Sequence, residues 1–186
     1  MPESFLGDGL IFRETLPLAF APGPLAGGPD LAHLNADNHQ LLGAESSLDD
    51  VRVHESLKDE SPALLHELQR LEFKLNMVLR LVAELTLRSH GLPPLQKINL
   101  SPRGLEWFGP DAPAIGITGL LQLYINPALP QPLKIPCEVA AERTQDNLRV
   151  AQLRFVGMSE AVVEMLAKLI FRHHRRLVAG ARLAAT

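Results

Sequence analysis

The sequence predicts an α+β fold: a small antiparallel sheet or barrel closed by a C-terminal helix, plus a long helix that joins copies of the chain. Three observations carry this reading. Leu64, Leu68, Leu71, Leu75, Val78, Val82 and Leu85 recur at alternating spacings of four and three, without a polar break. From Leu95 onwards, short apolar runs are separated by Pro, Gly and Asn, the texture of an antiparallel sheet or barrel. Residues 160–178 then carry Val162, Val163, Leu166, Leu169, Ile170 and Leu177 at helical spacing.

The elements follow in chain order. Residues 1–20 contain one strand, GLIFRETLPLAF over 9–20. Pro22-Gly23-Pro24 and Gly27-Gly28-Pro29 read as turns. Residues 21–60 form a helical or loop segment, with Leu31, Leu34, Leu41 and Leu42 suggesting one or two short helices. The long helix occupies 61–90. Ser61-Pro62 offers an N-cap with proline at the first helical position, where its missing N–H costs nothing. Ser56 with Asp59 is an alternative start. Gly91 can close the helix in a left-handed conformation, and Pro93-Pro94 forbids continuation. Such a helix would be about 45 Å long.

A strict repeat of 3.5 residues keeps one narrow face apolar and bends it around a partner helix. With Leu68, Leu75 and Val82 at a, the e and g positions include Leu65, Glu67, Glu72, Lys74, Leu79, Leu81 and Arg88. The leucines among them suit three or four helices better than two, and a tetramer is the first choice. Phe73, Met77 and Leu87 predict that the helix also rests on its own domain; the alternative is a long core helix in a monomer. The barrel and its closing helix span 95–178, with strands at 96–100, 105–108, 117–125, 133–142 and 148–156 and a hairpin turn at Thr144-Gln145-Asp146-Asn147. Ser159 is the N-cap of the last helix, and Arg172, His173, His174, Arg175 and Arg176 crowd its negative end. Residues 179–186 are a tail.

Composition sets limits on function. The chain has 186 residues, room for one ordinary domain and an appendage. A net charge of −3 gives no overall bias towards nucleic acid or anionic membrane. The single cysteine, Cys137, excludes an internal disulfide and fits a reducing cytoplasm. Met1-Pro2-Glu3-Ser4 lacks a basic start, against a signal peptide, and there is no apolar run of about 18 residues to span a bilayer. Neither a P-loop, nor a dinucleotide glycine fingerprint, nor a cluster of metal-ligand residues is present, so no catalytic or metal residue is assigned.

One short motif has a functional address. In NLSPRGLEW, residues 99–107, Asn99, Ser101 and Gly104 match [D/N]-x-S-x-x-G between two strands. The Asx and serine side chains offer hydrogen-bond groups at a strand end, and the glycine permits a sharp turn or a close approach. On these three residues alone a polar β-turn is the better explanation. The motif, the strands after it and the helix opening after Phe155-Val156-Gly157 together resemble a PilZ domain over Leu95 to about Val178, and the resemblance implies that the segment 1–20 supplies the first barrel strand. The resemblance implies a PilZ-like barrel whose typical members bind cyclic di-GMP. It also implies a bacterial signalling role in motility, type IV pili or virulence, with signalling or pilus-related proteins as partners.

The family's other signature, R-x-x-x-R before the first strand, is missing. Only Arg13 is available there, with Gly9 four residues before it and Pro17 four after; Arg172-x-x-x-Arg176 lies at the wrong end. Guanidinium groups grip phosphates bidentately and stack on bases. Each charge-assisted hydrogen bond is worth about 1.5–3 kcal/mol, so one lost arginine would cost tens- to hundredfold in affinity. The expectation is therefore no cofactor and weak or absent cyclic di-GMP binding, with Asn99, Ser101, Gly104 and Arg13 as a motif remnant. The inserted residues 21–94 are a further departure. The first reading is a non-catalytic, self-assembling scaffold acting through protein contacts. A receptor with a non-standard arginine supply is the alternative, and a nucleic-acid-binding oligomer using the basic C-terminal end is disfavoured by net acidity. His173 and His174 read as a solvated basic helix end, Trp107 and Phe108 as barrel core, and Cys137 as packed rather than reactive.

Overall fold

The computed structural model describes residues 5–7, 9–50, 66–68, 70–71, 73–75, 77–78, 81–82, 85, 91–126 and 131–184, with backbone alone at 47–50, 177 and 179–184. Six strands, β1 (Phe12–Pro22), β2 (Leu95–Ser101), β3 (Gly104–Phe108), β4 (Thr118–Leu123), β5 (Leu133–Gln145) and β6 (Leu148–Phe155), close into an antiparallel barrel in the order β1-β2-β3-β6-β5-β4. Helix α1 is Gly28–Asp50, and the C-terminal helix is Glu160–Ala184.

Alternation builds the barrel. Ile98 and Leu100, Leu105 and Trp107, Leu121 and Leu123, Ile135 and Cys137, and Ala151 and Leu153 are buried together, while every second residue points outward. β1 closes the cylinder by serving two neighbours: Phe12 to Pro17 pair with β2, and Leu18 to Pro22 pair with β4. The strand starts at Phe12 rather than at residue 9 and runs through Pro22, because Ala21 and Pro22 still pair with Leu120 and Gly119. The β5–β6 hairpin turns on Asp146 and Asn147 alone, both left-handed with φ of 51° and 63°. That is a two-residue turn whose twist suits the flanking strands. Val162, Leu166, Leu169 and Ile170 of the C-terminal helix pack against the barrel core.

Two helices differ from expectation. The segment expected to hold one or two short helices is a single helix, α1, running unbroken over 23 residues. Leu31, Asn35, Asn38 and Leu42 lie on one face of it, and the two asparagines dock it. Asn38 donates from Nδ2 to the Lys134 carbonyl oxygen at 2.9 Å and accepts from the Lys134 amide at Oδ1, at 3.0 Å. β6 reaches β5 only from Cys137 onwards, so Asn38 supplies what a neighbouring strand would have supplied. Asn35 donates to the Gly157 carbonyl oxygen at 2.9 Å and accepts from the Ser159 amide at 2.8 Å, at the start of the C-terminal helix. Leu31 lies so close to Gly157 that a Cβ there would come within 2.7 Å of it. The C-terminal helix runs to Ala184, through the residues expected to form a tail.

The seam segment is helical at each of its described positions, 66–85, and Gly91 takes the left-handed φ of 70°. Leu64 lies outside the described residues, as does Leu87. Leu68, Leu71, Leu75, Val78, Val82 and Leu85 are all exposed, Leu71, Leu75 and Leu85 by 58%, 60% and 64%. Phe73 and Met77, expected to rest on the chain's own domain, are exposed as well. The described part of this helix is therefore not a core helix of a monomer. Among the described residues no helix is long and apolar enough to cross a membrane.

Candidate functional site

The motif forms the β2–β3 hairpin, in which Ser101 pairs with Gly104 and Pro102-Arg103 make the turn. Proline at the first central position suits a tight turn because its φ is already set. Ser101 is buried. Its Oγ donates to the Gly104 carbonyl oxygen at 3.2 Å and accepts from the Arg103 amide at 3.4 Å, so its proton and one lone pair are used inside the turn. A Cβ on Gly104 would stand 2.9 Å from the Leu153 carbonyl oxygen and 3.2 Å from the Phe5 ring. The glycine is required by close packing on β6 and the N-terminal segment.

Asn99 projects outward from β2, and its Nδ2 donates to Glu106 Oε2 at 2.9 Å. Glu106 was not singled out by sequence reasoning, and it is the centre of the site. It stands on β3 with 6% exposure, and its Oε1 accepts from Arg143 Nη2 at 2.9 Å and Gln152 Nε2 at 3.0 Å. Burial pushes its pKa up, but the bonds from Asn99, Gln152 and Arg143 and the Arg143 charge outweigh it. The carboxyl is held below its ordinary value. The signal in the sequence was the alternation itself: Leu105 and Trp107 point inward, which turns Glu106 outward into the row of Asn99 and Gln152.

Arg13 is the register partner of Asn99 on β1 and is exposed. The row thus brings Arg13, Asn99 and Glu106 onto one outer face, while Ser101 and Gly104 lie at its end in the turn. Beside that turn, Phe5, Pro102, Arg103, Arg154, Phe155 and Met158 line a cleft of about 370 Å³. Arg154 also pairs with Glu138 at 3.0 Å.

The remaining candidates are structural. Trp107 is buried and its indole N–H donates to Gln96 Oε1 at 3.1 Å; Phe108 is buried under Lys97. Cys137 is fully buried, and desolvation pushes its thiol up to about 12. The histidine pair differs from expectation at one member. His174 is exposed, but His173 packs its ring at a tilt of 49° against Phe12, with centroids 4.1 Å apart, and places Nε2 3.0 Å from Glu14 Oε1. Arg172 donates to Ser46 Oγ on α1 at 2.6 Å. These contacts fasten the basic helix end to β1 and α1. Among the described residues no group of His, Cys, Asp and Glu could hold a metal ion.

A closed six-stranded antiparallel barrel, crossed by a C-terminal helix and carrying this signature in the β2–β3 turn, defines a PilZ-type domain. A family model described as atypical PilZ domain, cyclic di-GMP receptor, matches residues 42–183. The chain belongs to the atypical PilZ domain family. Among solved structures, it is similar to a pathogenic protein from Xanthomonas campestris, described as a tetrameric PilZ domain self-assembled through a helical bundle. The two share 28% identity and a TM-score of 0.73, over 92% of this chain and 91% of that one. No curated protein shows significant similarity to the chain.

Proposed function

We propose that this chain is a non-catalytic bacterial signalling scaffold, assembled through its seam helix, which does not hold cyclic di-GMP on its motif face and acts by binding other proteins. The observation that carries this reading is the fate of the motif. Asn99 is committed to Glu106, Ser101 to its own turn and Gly104 to packing on β6, and a buried carboxylate stands where a ligand phosphate would need cations. Arg13 has no second arginine at the family spacing.

Assembly is supported by the exposed stripe of Leu68, Leu71, Leu75 and Val78. A contiguous apolar stripe of this kind marks an interaction surface. The similar Xanthomonas campestris protein is a tetramer built through helices, and a tetramer is the state proposed here. On this reading the scaffold works in the bacterial cytoplasm, in control of motility, type IV pili or virulence, with signalling or pilus-related proteins as partners; its family membership supports the reading.

The test is calorimetric titration of the full chain with cyclic di-GMP. No saturable heat at micromolar concentrations is expected; submicromolar binding would overturn the reading. One observation favours a second reading, that of a true receptor. Arg103 and Arg154 stand in one cleft with Phe5 and Phe155, which together offer guanidinium groups for phosphates and rings for bases. In that case binding would be abolished by Arg103→Ala with Arg154→Ala and untouched by Arg13→Ala.

A further inference from the structure

Four strands converge on the Glu106 carboxylate. Asn99 on β2 approaches Oε2, and Arg143 on β5 and Gln152 on β6 approach Oε1, all at 2.9–3.0 Å from a group on β3. The register explains the convergence. Arg13, Asn99, Glu106 and Gln152 are successive cross-strand partners, and Gln152 faces Ala141, two residues from Arg143 on the same face of β5. Two amides and a guanidinium surrounding two oxygens are the donor set that holds an oxoanion in a binding site. Here the oxoanion is part of the chain.

The carboxylate is charged in the folded protein, as its lowered pKa requires. It therefore satisfies donors that would otherwise be left wanting, and it repels any second anion brought to the same face. A carboxylate and a phosphate compete for the same N–H groups. While Glu106 is in place, a phosphate arriving beside Asn99 meets a negative charge, and the N–H groups that Asn99 and Gln152 direct at the carboxylate are already taken.

We propose that Glu106 is the built-in occupant of an oxoanion site on the outer barrel face, and that it sets specificity by excluding phosphate groups from Asn99 and Arg143. Vacated, the site takes a small oxoanion, free phosphate or the phosphodiester of a nucleotide. This rests on the reading that the natural chain does not hold cyclic di-GMP on this face, but it is tested separately from it.

The experiment uses the full chain with Glu106→Ala, and compares melting in inorganic phosphate with melting in chloride of equal ionic strength. A phosphate-specific rise in melting temperature is expected in E106A, absent from the natural chain and lost again in E106A with Arg143→Ala. E106A is further expected to bind cyclic di-GMP at least about tenfold more tightly than the natural chain, which would tell a nucleotide phosphodiester from free phosphate as the preferred occupant. A folded E106A that gains nothing from phosphate overturns the proposal, whatever the natural chain does with the dinucleotide. Should E106A fold poorly, refolding yield is read instead, together with Glu106→Ser. Recovery by phosphate or formate but not chloride supports the site; no recovery by either anion in both variants overturns it.

Discussion

Replacing Asn38 by alanine tests how α1 is held to the barrel. The Asn38 side chain is 3% exposed and makes two hydrogen bonds to one residue, donating to the Lys134 carbonyl oxygen and accepting from the Lys134 amide. Asn38→Ala leaves both backbone groups without that partner at a position β6 does not reach. An unsatisfied buried donor or acceptor costs about 1–3 kcal/mol, and Lys134 is only partly covered, so the low half of that range applies to each group. The expected loss is about 2–4 kcal/mol. For a chain of this size that is about 4–16 °C in melting temperature. Trp107, the only tryptophan and part of the barrel core, reports unfolding by fluorescence in a urea titration at fixed protomer concentration. Asn38→Asp keeps the acceptor and loses the donor, so it separates the two bonds. If N38A stays within about 0.5 kcal/mol of the natural chain, the docking argument is wrong.

Other perturbations have equally definite outcomes. Gly104→Ala forces a methyl group to within 2.9 Å of the Leu153 carbonyl oxygen, and should destabilise the fold by about 1–3 kcal/mol in denaturant titration. Ser101→Ala removes two long bonds within a turn; it should cost about 1 kcal/mol and change no ligand affinity by calorimetry. Cys137 should resist a maleimide at pH 8 in the native chain and react once unfolded, since its thiol is pushed up to about 12. Glu106 has a folded pKa below its ordinary value of 4.5, so its contribution is fully present above that value. Stability should fall as pH drops below about 4.5 towards the folded pKa, because the unfolded chain takes up the proton first; Glu106→Gln should flatten that decline in a pH series of melting curves.

The strands were legible because each is a short alternating run between Pro, Gly or Asn, and the β5–β6 turn because Asp146 and Asn147 tolerate left-handed backbone. α1 was only half legible. Its docking face sets two asparagines between two leucines, and Asn35 and Asn38 act through hydrogen bonds to residues far along the chain, which no apolar period records. Sequence distinguished the motif without revealing its use. Alternation puts Asn99 and Glu106 on one outer face, but nothing local shows that Arg143, 37 residues beyond Glu106, completes the ring. His173 misled for a similar reason: a basic helix end looks solvated until Phe12 and Glu14 of β1 are seen against it.

The account depends most on the seam helix as an interface. Leu71 and Val78 are exposed on one stripe, and a glutamate at each would place unpaired charge inside a packed helical bundle. Light scattering on the natural chain and on Leu71→Glu with Val78→Glu is the direct measurement. The account predicts a natural chain at four times its 20.4 kDa and a double variant that falls to 20.4 kDa. A natural chain that runs at 20.4 kDa, or a double variant that keeps the natural mass, would contradict it.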